Sequence, residues 1–175
     1  MEGKLLVIDG PSCVGKTSLA KSLQEQLLPS VWLNFSIDTV VYTLPAAILD
    51  ECNNENNWDR VDAAALMRGA FACVDGLLKA GNNIVFDVVI SSEKRARQLQ
   101  QVFDGHDPFY VGVTASWECL HERASAREDR TLAEVEHGFE TSPKHLPYDL
   151  LVDTTHQDSS SAAREVLEVF CSRGS

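Results

Sequence analysis

The stretch that most restricts the fold is DGPSCVGKT, residues 9–17, which follows the apolar run KLLVI. It places Gly10, Gly15, Lys16 and Thr17 at the spacing G-x-x-x-x-G-K-T. Glycines let a loop curve closely around an anion, and the helix that follows presents its unsatisfied N–H groups to the same anion. The stretch therefore predicts a phosphate-binding loop between a buried strand and a helix, with an ordinary glycine-rich turn as the alternative.

Each residue type in this loop has a task in holding a nucleotide. Lys16 would bring a positive charge to the β- and γ-phosphates, and the Thr17 hydroxyl would be a ligand of Mg²⁺. Four matched positions should arise by chance on the order of once in a hundred such chains or fewer. The predicted nucleotide-binding residues of the loop are Gly10, Pro11, Ser12, Cys13, Val14, Gly15, Lys16, Thr17 and Ser18.

Short apolar runs alternate with longer amphipathic segments along the whole chain. Predicted strands lie at 4–9, 31–36, 83–89, 109–114 and 150–154. Predicted helices lie at 18–28, 39–49, 59–80, 92–103, 116–128 and 161–171. This alternation predicts an α/β fold of three layers, with a five-stranded, mostly parallel sheet covered by helices on both faces. The length of 175 residues fits one domain spanning 1–175.

Composition limits the partners and the compartment. The formal net charge is −11, which argues against nucleic acid and against an anionic membrane as partners. The five cysteines form no C-x-x-C pair, a pattern typical of a reducing compartment rather than of a zinc site or a disulfide scaffold. No apolar run approaches the ~20 residues of a membrane helix. We therefore expect a cytoplasmic protein, and a homo-oligomer is compatible with the sequence.

Two polar stretches, near 50–58 and 128–145, interrupt the alternation. In an enzyme that transfers phosphoryl groups they would serve as lids that exclude water from the reaction. Exposed loops without such a role are the alternative.

Asp87 ends the apolar run at 84–86. P-loop proteins place at this position an acid that helps to hold Mg²⁺. Asp87 and Thr17 are therefore the predicted metal-binding residues, and Asp9 and Asp38 are alternatives for the carboxylate.

Nucleotide binding alone does not specify the reaction. The guanine-reading pattern N-K-x-D of switch GTPases is absent, and mechanical ATPases are usually larger chains. A small-molecule kinase additionally needs a base, further cations and a lid. Asp38 follows the second predicted strand and should lie at the same sheet edge as the loop, where it would accept the proton of an acceptor hydroxyl. Its alternative role is the N-cap of the segment 39–49.

The further cations come from HERASAREDR, residues 121–130. Arg123, Arg127 and Arg130 are predicted to contact phosphate oxygens, for which the planar guanidinium group is suited. The alternative is a solvated helix face on which neighbouring acids neutralise the arginines.

Taken together, these motifs resemble those of the chloramphenicol phosphotransferase family of P-loop kinases. The residues that carry the resemblance are DGPSCVGKTS, WLNFSIDTV, AGNNIVFDVV, RASAREDR and PYDLLVDTTHQDS, in the same order over essentially the whole chain. Two parts match poorly, at 42–59 and 134–147, and Val88 stands where a second acid would be expected.

The resemblance implies a P-loop kinase fold in which ATP, with Mg²⁺, donates its γ-phosphoryl group to a hydroxyl of a small molecule. It implies that Asp38 is the base, that Arg127 and Arg130 are the lid cations, and that Thr154 and Thr155 lie where P-loop kinases pass the adenine. With Lys16 and Arg123, which the residue patterns indicate, Asp38, Arg127 and Arg130 form the predicted catalytic set. Chloramphenicol or a related compound is the first expected acceptor. The alternatives are another hydroxylated metabolite or antibiotic, or a nucleotide-responsive binding protein with little catalysis.

Overall fold

The computed structural model describes residues 2–54, 57–126 and 132–173. Its centre is a sheet of five parallel strands in the order β2-β3-β1-β4-β5. The strands are β1 Leu5–Asp9, β2 Trp32–Ser36, β3 Asn83–Val88, β4 Phe109–Thr114 and β5 Leu150–Asp153. The structure confirms the predicted α/β fold and places every strand within one residue or so of its predicted bounds.

Helices cover both faces of the sheet. They are α1 Lys16–Gln26, α2 Ile37–Val41, α3 Ala46–Asn54, α4 Ala63–Lys79, α5 Glu93–Phe103, α6 Trp117–Ser125, α7 Leu132–Thr141 and α8 Ser159–Arg173. One core lies between the sheet and a layer containing α1, α6 and α8. The other lies between the opposite face and α4 and α5. Strands buried on both faces explain why β1, β3 and β4 read as continuous apolar runs.

The segment after β2 differs from its prediction. A single helix over 39–49 was expected, with Asp38 as one candidate for its N-cap. The structure instead has the short helix α2 capped by Ser36, whose hydroxyl accepts from the Thr39 N–H at 3.3 Å. A second helix, α3, begins at Ala46 directly after Pro45, because proline favours the first turn of a helix. The N-cap prediction for Asp38 was wrong, since Ser36 performs that role.

The two polar stretches are also more regular than predicted. Helix α3 extends through the first part of 50–58, and α7 occupies most of 128–145. Val135 of α7 is fully buried, and Phe139 of the same helix contacts Trp117 of α6 with the ring centroids 5.6 Å apart. A small number of apolar residues at helical spacing is enough to pack a mostly polar helix against the core.

Asp75 on α4 links this helix to the turn before β4. Its carboxylate accepts hydrogen bonds from Lys79 Nζ and His106 Nε2, both at 2.8 Å. The contact with Lys79, and next the contact with His106, lower the pKa of Asp75 below its ordinary value of 3.8. A lowered pKa means that the ionised form stabilises the fold above the ordinary value and that this contribution is lost as the pH falls through the lowered pKa.

We therefore expect Asp75→Asn to reduce the free energy of unfolding at pH 7 by about 1 kcal/mol. The difference from the wild type should shrink as the pH falls below the ordinary Asp value of 3.8. Urea unfolding at a series of pH values measures this, with Asp50→Asn on α3 as an exposed-carboxylate control. A difference that stays constant down to the acid transition would contradict the expectation.

Candidate active site

A cavity of about 1000 Å³ lies at the carboxyl edge of the sheet. One wall is the loop and first turn at 12–19, and the opposite wall is formed by 36–39 at the start of α2. Residues 87–89, at the end of β3, line the cavity between them. This edge is where open α/β sheets bind ligands, because the loops that follow parallel strands converge there.

The loop at 10–15 needs glycine at two positions. Gly15 is the N-cap of α1 with a φ of 100°, a left-handed conformation that residues with a side chain rarely adopt. A Cβ added to Gly10 would lie 2.5 Å from the backbone oxygen of Val113 in β4. The first glycine is therefore required by packing against the sheet, and the second by the turn into the helix.

Lys16 reaches back across this loop. Its buried ammonium group donates to the backbone oxygens of Gly10 and Pro11, each at 2.9 Å, and lies 3.9 Å from Asp87 Oδ1. These contacts hold the positive charge beside the cavity. The arrangement can neutralise an anion that enters the loop without requiring a large movement of the lysine.

Thr17 and Asp87, the two predicted metal-binding residues, lie next to each other. The Thr17 hydroxyl donates to Asp87 Oδ2 at 3.0 Å, and both residues line the cavity. Burial raises the pKa of Asp87, against the opposing effects of Lys16 and of the Thr17 hydrogen bond. A hydroxyl and a carboxylate oxygen are hard ligands that suit Mg²⁺, which typically takes only one or two carboxylates from the protein together with substrate phosphates. The donor set therefore fits that ion.

The described residues contain no cluster of three or more His, Cys, Asp or Glu side chains suited to a metal. Asp9, one alternative for the metal carboxylate, is fully buried. It accepts hydrogen bonds from the Ile90 N–H at 2.8 Å, the Ser142 hydroxyl at 2.9 Å and the Tyr148 hydroxyl at 2.6 Å. Asp9 therefore ties the end of β1 to the segment between α7 and β5.

Asp38 is the second residue of α2 and lines the cavity on the wall opposite the loop. Its charge is among the influences that raise the pKa of Asp87, after the larger effect of burial. Strand β3 is paired between β1 and β2, and this topology brings Thr17, Asp87 and Asp38 to one edge of the sheet. Thr17 and Asp87 are 70 positions apart in the sequence, and Asp38 and Asp87 are 49 apart.

Arg123, one of the three arginines predicted to contact phosphate oxygens, is held by contacts within the protein. Its guanidinium group donates to the backbone oxygens of Val14 at 3.3 Å and Thr154 at 2.8 Å, and to the Thr154 hydroxyl at 3.3 Å. The Thr154 hydroxyl in turn donates to the Val14 oxygen at 2.7 Å. Arg123 and Thr154 thus fasten the phosphate-binding loop to the end of β5, and both line the cavity.

The remaining predicted site residues are placed as follows. The Thr155 hydroxyl accepts from the Ser116 N–H at 2.8 Å and donates to Asp153 at 2.5 Å, which joins the loops after β4 and β5. Arg127 and Arg130 lie outside the described residues. Helix α7, within the second predicted lid, packs directly on the loop, since a Cβ on Gly138 would lie 3.2 Å from Pro11 Cβ.

Several cavity residues were not found from the sequence. Asn34 lies on β2, Met67 on α4 and Arg95 on α5, and all three face the cavity. Arg95 follows the N-cap Ser92, just after β3. That position at the carboxyl edge of a predicted strand was the signal that could have identified it.

The family model of the chloramphenicol phosphotransferase-like proteins matches residues 3–171. The chain belongs to this family. A Mycobacterium tuberculosis protein provisionally named an O-phosphotransferase, present in two strains, is 29% identical over 97% of this chain and 83% of its own length. The family resemblance stated from the motifs is therefore confirmed.

Solved structures show the same fold at low sequence identity. A sugar kinase from Janibacter sp. HTCC2649 superposes with a TM-score of 0.74 at 14% identity, covering 97% of this chain and 95% of its own. The Mycobacterium tuberculosis APS kinase in complex with AMPPNP and APS superposes with a TM-score of 0.72 at 19% identity, covering 97% and 98%. Family and fold together identify the chain as an enzyme of the P-loop kinase class.

Among the helices of the described residues, none is long and apolar enough to cross a membrane.

Proposed function

We propose that this protein transfers the γ-phosphoryl group of ATP to a hydroxyl of a small molecule. The observation that carries the proposal is the single cavity that joins Lys16, Thr17 and Asp87 on one side to Asp38 on the other. A nucleotide bound by the loop and an acceptor beside α2 would share this space. The volume of about 1000 Å³ is at the upper end of the usual range for ligand sites, as two bound molecules require.

In the proposed reaction the acceptor oxygen forms a bond to the γ-phosphorus, and the bond from that phosphorus to the β–γ bridging oxygen breaks. ADP leaves with the bridging oxygen, and the hydroxyl proton passes to the Asp38 carboxylate and then to water. Lys16 offsets charge on the phosphates as the transfer proceeds. Thr17 and Asp87 would hold Mg²⁺, which supplies further charge neutralisation when bound.

The remaining predicted groups have supporting roles in this proposal. Arg127 and Arg130 act as lid cations. Arg123 and Thr154 hold the phosphate-binding loop in place against the adenine side of the cavity. Thr155 holds the loop after β5 against the loop after β4 through its contacts with Asp153 and the Ser116 N–H. The helix α7, packed on Pro11, excludes water from the transferring group.

The family supports the type of reaction but does not specify the acceptor compound. The family and its Mycobacterium tuberculosis relative support O-phosphorylation, with chloramphenicol or a related antibiotic as one candidate acceptor. Another hydroxylated metabolite is the alternative within the same chemistry. A nucleotide-responsive binding protein is the alternative outside it.

Acceptor-dependent ADP release, with mass spectrometry of the acceptor, tests the proposal. The wild type with ATP and Mg²⁺ is incubated with chloramphenicol and with a panel of polyols, hydroxylated acids and sugars. We expect at least one compound to gain a single phosphoryl group while ADP appears in equal amount, and Lys16→Ala to yield neither product. Tight ATP binding with no acceptor-stimulated ADP release would instead indicate a binding protein.

A further inference from the structure

The cavity has two parts with different linings. One part is formed by the phosphate-binding loop with Arg123, Thr154 and residues 157–159, and this is the part assigned to ATP. The other part is formed by β2 and α2, by α4, and by the end of β3 with the start of α5. Because it contains Asp38, this second part is where the acceptor hydroxyl must lie. We call it the acceptor side.

Arg95 provides the positive charge on the acceptor side. Among the described residues that line that side, no other lysine or arginine occurs except Lys16 at its border with the loop. The Arg95 side chain is half-buried, and its guanidinium group donates to the Ser91 hydroxyl at 3.0 Å. A guanidinium group has five N–H donors in a planar fork, so this contact leaves donors available to a ligand.

The surroundings of Arg95 contrast with those of other arginines in the chain. Arg97, two residues further on α5, is exposed and pairs with Glu93 at 2.8 Å. Arg60 pairs with Glu51 at 2.8 Å, and Arg173 pairs with Asp107 at 2.7 Å. Within the ranges 2–54, 57–126 and 132–173, none of the ion pairs involves Arg95.

The position of Arg95 in its helix is electrostatically unfavourable. It is the third residue of α5, an 11-residue helix, and the positive end of the helix dipole disfavours a cation in the first turn. An anionic group in the cavity would interact favourably with both the guanidinium and the helix end. A residue type that is unfavourable at its position in a helix, as Arg95 is here, is expected at functional positions.

We infer that Arg95 binds an anionic group of the acceptor, and that the acceptor is a small hydroxylated compound carrying a carboxylate or a phosphate. This inference rests on the proposed kinase function and narrows its substrate class. Chloramphenicol carries no such group, so the inference favours the alternative of another metabolite. Polar groups of Asn34, Ser36 and Thr39 on the same side suit further hydroxyls of such a compound.

Paired acceptors test the inference. The probes are hydroxylated carboxylic acids with their primary amides and sugar monophosphates with the free sugars, with chloramphenicol added as an uncharged compound. The kcat and KM of each acceptor are measured by ADP release in the wild type, Arg95→Gln, Arg95→Lys and the control Arg97→Gln. Arg97 lies on the same helix and carries the same charge, but it pairs with Glu93 on the surface.

We expect the wild type to prefer the anionic member of at least one pair by ~10-fold or more in kcat/KM, the effect of a hydrogen-bonded charge. Arg95→Gln should raise the KM of that anion ~10-fold or more with a smaller change in kcat, and Arg95→Lys should recover part of the loss. Arg97→Gln should behave as the wild type. The pair that shows the preference tells a carboxylate acceptor from a phosphate acceptor.

Two results separate the possible failures. Phosphorylation of the uncharged compounds as efficiently as the anions, or a preference retained by Arg95→Gln, would overturn the inference and leave the kinase function intact. Absence of phosphorylation of every compound, with ATP still bound by the wild type, would contradict both the inference and the proposed function. A KM for the anion that rises equally in Arg97→Gln would show a general effect of surface charge and would also overturn it.

Discussion

Asp38→Asn is expected to lower kcat by at least ~10²-fold, the usual contribution of a positioned general base. Asparagine has nearly the same size and can still hydrogen-bond to the acceptor hydroxyl, but it cannot take up the proton. Because Asp38 is on the wall of the cavity opposite the phosphate-binding loop, ATP binding should persist. Steady-state kinetics with a phosphorylated acceptor, together with calorimetric titration of ATP, separate the two effects.

The matched control for Asp38→Asn is Asp104→Asn. Asp104 is an exposed carboxylate after the C-terminal end of α5, at the opposite edge of the sheet. The same chemical change there removes the same unit of charge from a protein of net charge −11. If both variants turn over at the wild-type rate, the base is not Asp38. Equal losses in both would indicate an effect of overall charge.

Lys16→Ala is expected to reduce turnover to the background, by ~10³-fold or more, because the main positive charge beside the phosphates is removed. ATP affinity should weaken as well, since the charge also contacts the bound phosphates in the ground state. The loop itself loses two hydrogen bonds, from the ammonium group to the Gly10 and Pro11 oxygens. Gly10 and Pro11 are buried, so these two backbone oxygens lose their donor inside the protein.

Lys16→Arg and Lys21→Ala complete this experiment. Arginine keeps the charge but is larger and forked, so it should fit poorly where the ammonium contacts two backbone oxygens and should restore only part of the activity. Lys21 is an exposed lysine on the same helix, and its removal should leave turnover unchanged. Substantial turnover by Lys16→Ala would indicate that the phosphates bind elsewhere in the cavity.

The two variants also distinguish the steps of the proposed reaction. Removal of the base should leave nucleotide binding intact and stop transfer to the acceptor, whereas removal of the lysine should affect both. Slow ATP hydrolysis by water, measured without an acceptor, should be retained better in Asp38→Asn than in Lys16→Ala. The lysine variant should lose more of this hydrolysis because Lys16 is needed for attack on the γ-phosphorus by any nucleophile, whereas Asp38 is needed only for the acceptor.

The local features of this protein were readable from its sequence. The pattern at 10–17 predicted the loop, because its glycines are required by backbone geometry that few other residues can adopt. The apolar runs predicted all five strands, most clearly the three central strands β1, β3 and β4, because central strands of a parallel sheet are buried on both faces. The order of several particular motifs along the chain indicated the family, which the family model confirmed over residues 3–171.

The helices after β2 were predicted less well. Asp38 and Ser36 are both common N-cap residues, and nothing in the local pattern distinguishes them. Which of the two residues caps the helix depends on where β2 stops pairing with β3, and Ser36 is the last residue of β2 that pairs with β3. Helix α7 was missed because its few apolar residues acquire a partner only when Trp117 is brought beside it by the fold.

The sequence by itself determined which residue types could hold a phosphate, a metal and an acceptor, because loop and strand patterns are set by neighbours along the chain. Only the tertiary structure decided which candidates meet. Insertion of β3 between β1 and β2 brings Asp87 to Thr17 and leaves Asp9 to bind Ser142 and Tyr148. The pairing of β4 with β1 and β5 brings Arg123, on the helix after β4, to the phosphate-binding loop. The fold also places Arg95 in the wall of the cavity that contains Asp38. Strand order in a sheet depends on long-range packing, and hydrophobic periodicity carries no record of it.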